Sequence, residues 1–126
     1  KILKSLGTFY ISSKEDEINV ATALYGSGPA FIAFLVNTFI SASKNISSNS
    51  KINELDIINL FINVISLNDT SQKLEDFVKS IASKKGTTQA GVKFLKSQNL
   101  KKIMYTALHR AYKRAKEISI EKKDPK

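Results

Sequence analysis

Ala30-Phe31-Ile32-Ala33-Phe34-Leu35-Val36-Asn37-Thr38-Phe39-Ile40-Ser41-Ala42-Ser43 is apolar almost all the way round a helix. Phe31, Phe34, Leu35, Thr38 and Phe39 share one face at helical spacing, while Ile32, Ala33, Val36 and Ile40 cover much of the other side. A helix without a polar face has to be enclosed on several sides. A chain of 126 residues has few places where its own fold surrounds a helix, because much of a small domain's surface stays in water. A second copy supplies the missing cover. The stretch therefore predicts an intimate helical dimer with this helix at its centre.

A second segment repeats the pattern. From Leu55 to Leu67 the apolar residues again go round the helix, and Asn53 followed by Asp56 resembles a helix start. The expected centre of the dimer is Phe31, Phe34, Phe39, Ile58, Phe61 and Ile65. Lys44 to Ser50 reads as a loop, and Asn68-Asp69-Thr70-Ser71 as a break and cap. An amphipathic helix follows from Gln72 to Ala82, with Leu74, Phe77, Val78 and Ile81 on one side. Ser97-Gln98-Asn99 ends the next helix, and the last one runs from Leu100 to Ile118. At the other end, Leu6 to Ser12 reads as one short strand. A lone strand is not stable by itself, so it is expected to end the sheet of an N-terminal domain lying outside this sequence. The start at Lys1, without methionine, gives the same expectation of a longer parent chain. The predicted organisation is residues 1–12 as a strand and linker, 13–119 as the helical domain, and 120–126 as a charged tail.

Composition narrows the chemistry. The chain is 42% hydrophobic and 25% charged, as globular proteins are, and has no cysteine. The single histidine, His109, lies off the apolar stripe of the last helix and reads as a surface residue, so no metal site is expected. A formal charge of +9 raises the possibility of nucleic acid. Against it, Arg110 and Arg114 are the only arginines, and arginine is the side chain that reads bases and phosphates in bidentate fashion. A solvated basic surface is the simpler reading. No apolar run approaches a membrane span and no signal peptide is evident, which predicts a cytoplasmic protein without membrane contact.

Two turns carry possible chemistry. In Ser83-Lys84-Lys85-Gly86-Thr87-Thr88, a short connection opens into a helix. Gly86 permits positive φ and close approach of a ligand. Thr87 and Thr88 fall where backbone N–H groups have no intrahelical partner. Hydroxyls and two lysines complete a set suited to a carboxylate or phosphate. The plainer alternative is that Ser83 or a threonine caps the helix. In Tyr25-Gly26-Ser27-Gly28-Pro29, two glycines allow a bend and Pro29 suits the first position of the next helix; Ser27 either caps that helix or faces a ligand. No Gly-x-Gly-x-x-Gly loop, P-loop or paired-acid constellation occurs.

These two turns carry a resemblance. Ala21-Thr22-Ala23-Leu24-Tyr25-Gly26-Ser27-Gly28-Pro29-Ala30-Phe31 resembles the Thr-Ala-Leu-Ser-Gly-Ser-Gly-Pro-Ala-Tyr segment of pyrroline-5-carboxylate reductases. Ser83-Lys84-Lys85-Gly86-Thr87-Thr88-Gln89-Ala90-Gly91 resembles their Ser-Pro-Gly-Gly-Thr-Thr-x-x-Gly signature. The similarity spans Lys1 to Ser119 and corresponds to the C-terminal half of that enzyme. Departures are Tyr25 for serine, Lys84-Lys85 for Pro-Gly, and Asn37 for a glutamate.

The resemblance implies an all-α, interlocked helical dimerisation domain with a 6-phosphogluconate dehydrogenase C-terminal-like fold, following a Rossmann domain that holds NADPH or NADH. The reaction it implies is reduction of 1-pyrroline-5-carboxylate to proline, the last step of proline biosynthesis. Ser83, Gly86, Thr87 and Thr88 would then bind the substrate carboxylate, and Thr88 would also meet the imine nitrogen as the catalytic contact. Ser27, Gly28 and Pro29 would form an active-site turn. A homodimer is implied, with higher assembly of dimers open to it. The isolated chain is expected to be inactive. Two alternatives stand beside this reading: a degenerate, non-catalytic dimer module, motivated by Tyr25, Lys84 and Lys85, and a basic nucleic-acid-binding helical domain.

Overall fold

A computed structural model describes residues 14–46, 53–67 and 70–121, and every regular element among them is helical. The elements are α1 (Glu15–Ala21), a π turn (Thr22–Gly26), α2 (Gly28–Ile46), α3 (Glu54–Leu67), α4 (Ser71–Ile81), α5 (Thr87–Ser97) and α6 (Leu100–Glu121). The all-α expectation agrees with this. The strand expected over Leu6–Ser12 lies outside the described residues, as do Asn68, Asp69 and the end of the tail. The chain divides into two units, one of residues 1–29 and 104–126, the other of residues 30–103.

In the unit of residues 30–103, local side-chain chemistry sets the helix starts. Asn53 and Asp56 cap α3 reciprocally: Asn53 Oδ1 accepts the Asp56 N–H at 2.9 Å, and Asp56 Oδ2 accepts the Asn53 N–H at 3.1 Å. Thr70 caps α4 by accepting the Lys73 N–H at 3.2 Å. Asn99, at φ 54°, turns the chain from α5 into α6; asparagine tolerates that left-handed conformation better than most residues. The helix of α2 runs on through Lys44–Ile46, where the sequence suggested a loop.

Packing within this unit is thin. Phe39 and Phe61 meet edge to face, with ring centroids 5.4 Å apart, and tie α2 to α3. Lys44 pairs with Glu54 at 2.5 Å, and that hydrogen bond and charge hold the Glu54 carboxyl below its usual range. Both partners are exposed, so the pair contributes little stability. Ile40 and Ile57 are buried, yet Phe34 is 69% exposed, Phe39 50% and Ile65 55%. Phe31 and Phe61 are half-buried and Ile58 is exposed. Among the described residues no large side chain is fully buried. Apolar exposure on this scale marks a surface awaiting a partner.

One expectation is corrected. The helical run Glu15–Ile46, of 32 residues, is long and apolar enough by length and composition to cross a membrane. The glycine-rich turn fails to end the helix: a π turn widens the ladder, with Ser27 N–H reaching Thr22 O at 3.2 Å, and α2 starts directly after a bend at Ser27. The core helix of a soluble protein passes the same test of length and composition.

The unit of residues 1–29 and 104–126 is organised around aromatic side chains of α6. The Tyr112 hydroxyl donates to the Asp16 carboxylate, which pushes the Tyr112 phenol up from its ordinary pKa. His109 stacks on Tyr105 at 5.6 Å and lies near Tyr112 at 6.2 Å. It is half-buried rather than a free surface residue, because the aromatic neighbours at i−4 and i+3 enclose it. Ala23 and Asn19 are buried in this unit. Arg114, one of only two arginines, bonds Glu117 at 3.0 Å and Glu121 at 3.2 Å along its own helix, which leaves less cationic surface for a nucleic acid.

Candidate functional site

The turn before α5 is built by its backbone. Gly86 N–H donates to Ser83 O at 3.0 Å, closing a four-residue β-turn with Lys84 and Lys85 in the middle. Lys85 has φ 62°. Positive φ at the third position belongs to the turn type that favours proline second and glycine third. Here lysine occupies both places. The expectation that Gly86 supplies the positive φ is therefore corrected: Gly86 is extended, at φ −82° and ψ 167°, and serves as the N-cap of α5. Glycine is needed there for a different reason. A Cβ on Gly86 would lie 2.3 Å from Ser83 Oγ and 3.1 Å from Ser83 O, so the Ser83 hydroxyl occupies the space of a side chain.

A left-handed lysine is costly. For a residue with a Cβ the conformation costs roughly 1–2 kcal/mol, and glycine's extra unfolded-state freedom offsets roughly 0.4–1 kcal/mol of any relief. Lys85→Gly is thus expected to stabilise the chain by about 0.5–1 kcal/mol, read as a higher denaturant midpoint. A lower midpoint would show that the side chain is held favourably in its turn.

The helix start leaves donors free. The first intrahelical bond of α5 runs from Ala90 N–H to Gly86 O at 3.2 Å. Ahead of it, the N–H groups of Thr87, Thr88 and Gln89 have no partner among the described residues, and no side chain caps the helix. The alternative that Ser83 or a threonine caps it is not what forms. The hydroxyls of Ser83, Thr87 and Thr88 likewise make no hydrogen bond among the described residues, and no carboxylate there pairs with Lys84 or Lys85. Three N–H groups at the positive end of a helix dipole, flanked by hydroxyls and two cations, suit an anion. Thr88 is half-buried and Thr87 exposed.

Sequence reasoning missed one member of this turn. Gln89 Oε1 accepts the Lys85 N–H at 2.9 Å. Gln89 is the third residue of α5, from which a glutamine side chain can reach back ahead of its helix; here it passes the N-cap Gly86 and takes the N–H of the residue before it, and that position was the available signal.

Ser27, Gly28 and Pro29 belong to the other unit. Ser27 is half-buried, and its hydroxyl makes no hydrogen bond among the described residues. A Cβ at Gly28 would meet nothing within 4 Å. Pro29 is the second residue of α2, one place later than expected, and still in the first turn, where its missing N–H has no intrahelical partner to lose.

Comparison with known proteins agrees with this architecture. Residues 15–118 match the family model for pyrroline-5-carboxylate reductase dimerisation. A pyrroline-5-carboxylate reductase of Staphylococcus saprophyticus is 32% identical over 115 residues, covering 90% of this chain and 42% of the relative. One from Staphylococcus aureus is 32% identical over 119 residues, covering 94% of this chain and 44% of the relative. The chain therefore spans less than half the length of these curated relatives. A crystal structure of Plasmodium falciparum pyrroline carboxylate reductase with NADP bound has the same fold, with a TM-score of 0.79 at 21% identity over 92% of this chain and 44% of that one. A pyrroline-5-carboxylate reductase structure from Coxiella burnetii gives a TM-score of 0.74 at 29% identity over 92% of this chain and 43% of that one. By the match over residues 15–118, this chain belongs to the pyrroline-5-carboxylate reductase dimerisation family.

Proposed function

We propose that this chain is the dimerisation and substrate-binding half of a cytoplasmic pyrroline-5-carboxylate reductase, which makes proline from 1-pyrroline-5-carboxylate. The observation that carries the reading is the start of α5, with N–H groups of Thr87 and Thr88 free, hydroxyls beside them, and the family's Gly-Thr-Thr at that point. The substrate's carboxylate docks on those N–H groups, with Ser83 and Gly86 completing the cradle. Ser27, Gly28 and Pro29 are assigned to the active site by the family resemblance of their turn. Docking fixes the ring, and positioning is the protein's main contribution to a transfer of this kind. As the imine nitrogen gains electron density it needs a hydrogen bond or a proton, and the Thr88 hydroxyl is the group assigned to meet it.

This chain contains no Gly-x-Gly-x-x-Gly turn of the kind that holds the pyrophosphate of a dinucleotide. The cofactor, NADPH or NADH, supplies the hydride and is assigned to a dinucleotide-binding domain that the relatives' greater length accommodates. The active unit is a homodimer that buries α2 and α3, and that unit is free to assemble further. The closed turn over Ser83–Gly86 supports this reading over a degenerate module, since Lys84 and Lys85 form it without proline or glycine.

The test is enzymatic. The 126-residue chain alone is expected to give no oxidation of NADPH or NADH with pyrroline-5-carboxylate, while a protein joining it to a dinucleotide-binding domain turns over. Turnover by the chain alone would overturn the division of labour. A correctly folded joined protein without turnover would leave only the dimer module.

A further inference from the structure

The α5 turn has the shape that favours proline second and glycine third, and carries lysine at both places. Lys84 has none of proline's restriction, and Lys85 sits at φ 62° without glycine's tolerance. Something else must hold residue 85 in place. The contact available for this is the Gln89 side chain, whose Oε1 accepts the Lys85 N–H at 2.9 Å from the first turn of α5. That bond fastens the middle of the turn to the helix whose free N–H groups point at the anion. It also uses a neutral acceptor. Glutamate at this position would make the same bond and favour the helix dipole, but would set a negative charge beside an anion site.

We propose that Gln89 is a positioning residue of the carboxylate site, in which its neutral amide oxygen holds the left-handed Lys85 and so keeps the N–H groups of Thr87 and Thr88 aimed at the substrate. The proposal rests on the reading of that helix start as a carboxylate site. Gln89 acts through the backbone of Lys85 and does not touch the ligand. Its chemistry is specific to this chain's turn, because a Pro-Gly turn would hold its shape without the extra bond.

The experiment uses the 126-residue chain, with L-proline and sulfate as probes and the amide resonances of Thr87 and Thr88 as the readout. Gln89→Leu removes the acceptor and is expected to weaken proline binding by roughly two- to tenfold, the effect of one lost neutral hydrogen bond. Lys85→Gly in the Gln89→Leu background is expected to restore most of the affinity, since glycine holds the turn unaided. Gln89→Glu separates cap from charge: its thermal midpoint is expected to match or exceed the parent's, while proline binding weakens by at least as much as in Gln89→Leu. A helix cap without a role in the site would lower the midpoint in Gln89→Leu and leave affinity unchanged, which overturns the proposal. Glutamate binding proline as well as glutamine does would overturn it too. Failure of the parent chain to respond to either probe at Thr87 and Thr88 is a distinct result, which removes the carboxylate site itself and the proposal with it.

Discussion

Phe34→Asp is expected to abolish the dimer. Phe34 lies on α2 and is 69% exposed in the single chain, on a helix where Leu35 and Phe39 are exposed too. A carboxylate placed at the middle of an apolar interface has no partner there, and burying it costs several kcal/mol. Each 1.4 kcal/mol is a factor of about ten in dissociation constant, so dissociation strengthens by roughly a thousandfold or more. Sedimentation at micromolar concentration is expected to show a dimer for the parent chain. The variant should give monomer or, because so little of this chain is buried without its partner, unfolded material. A parent chain that sediments as a stable, folded monomer at that concentration would contradict the prediction and the role given to α2 and α3.

Thr88→Ala is expected to cripple catalysis and spare assembly. The substitution removes a hydroxyl at the start of α5 that makes no hydrogen bond among the described residues, so the fold loses nothing visible when it goes. The bond it is assigned to make goes to a group that changes charge during the reaction. Losing such a bond costs about 1.5–3 kcal/mol, which lowers kcat/KM for pyrroline-5-carboxylate roughly ten- to a hundredfold in the protein that carries a cofactor domain. Unchanged kinetics in a correctly folded dimer would reduce Thr88 to an ordinary helix residue.

Much of this architecture was legible before any coordinates. Helix periodicity located α2 to α6, and side-chain caps at Asn53 and Thr70 were visible as residue types. The family was legible because two turns, Tyr25–Pro29 and Ser83–Thr88, combine unusual residues at fixed separation. Backbone conformation was harder to read. Glycine at residue 86 suggested positive φ, yet the left-handed residue is Lys85, because the Gly86-to-Ser83 bond makes Gly86 the last residue of the turn and leaves Lys85 in its third place. Pro29 and two glycines suggested an interrupted helix, and a bend at Ser27 does separate the π turn from α2, but the π turn itself carried no signal in residue types. His109 looked like a surface residue because periodicity tracks apolar faces and is blind to aromatic stacking along one helix. Gln89 was missed for a related reason: its bond joins a side chain to a backbone N–H that the turn type exposes.

The start of α5 is assigned to hold the carboxylate of the substrate or its product. A crystal structure of this chain with L-proline tests it most directly. A proline carboxylate is expected within hydrogen-bond distance, about 2.7–3.2 Å, of the Thr87 and Thr88 N–H groups, with the ring nitrogen turned toward the Thr88 hydroxyl. Proline bound elsewhere, with those N–H groups satisfied by water or by a side chain of either copy, would contradict it.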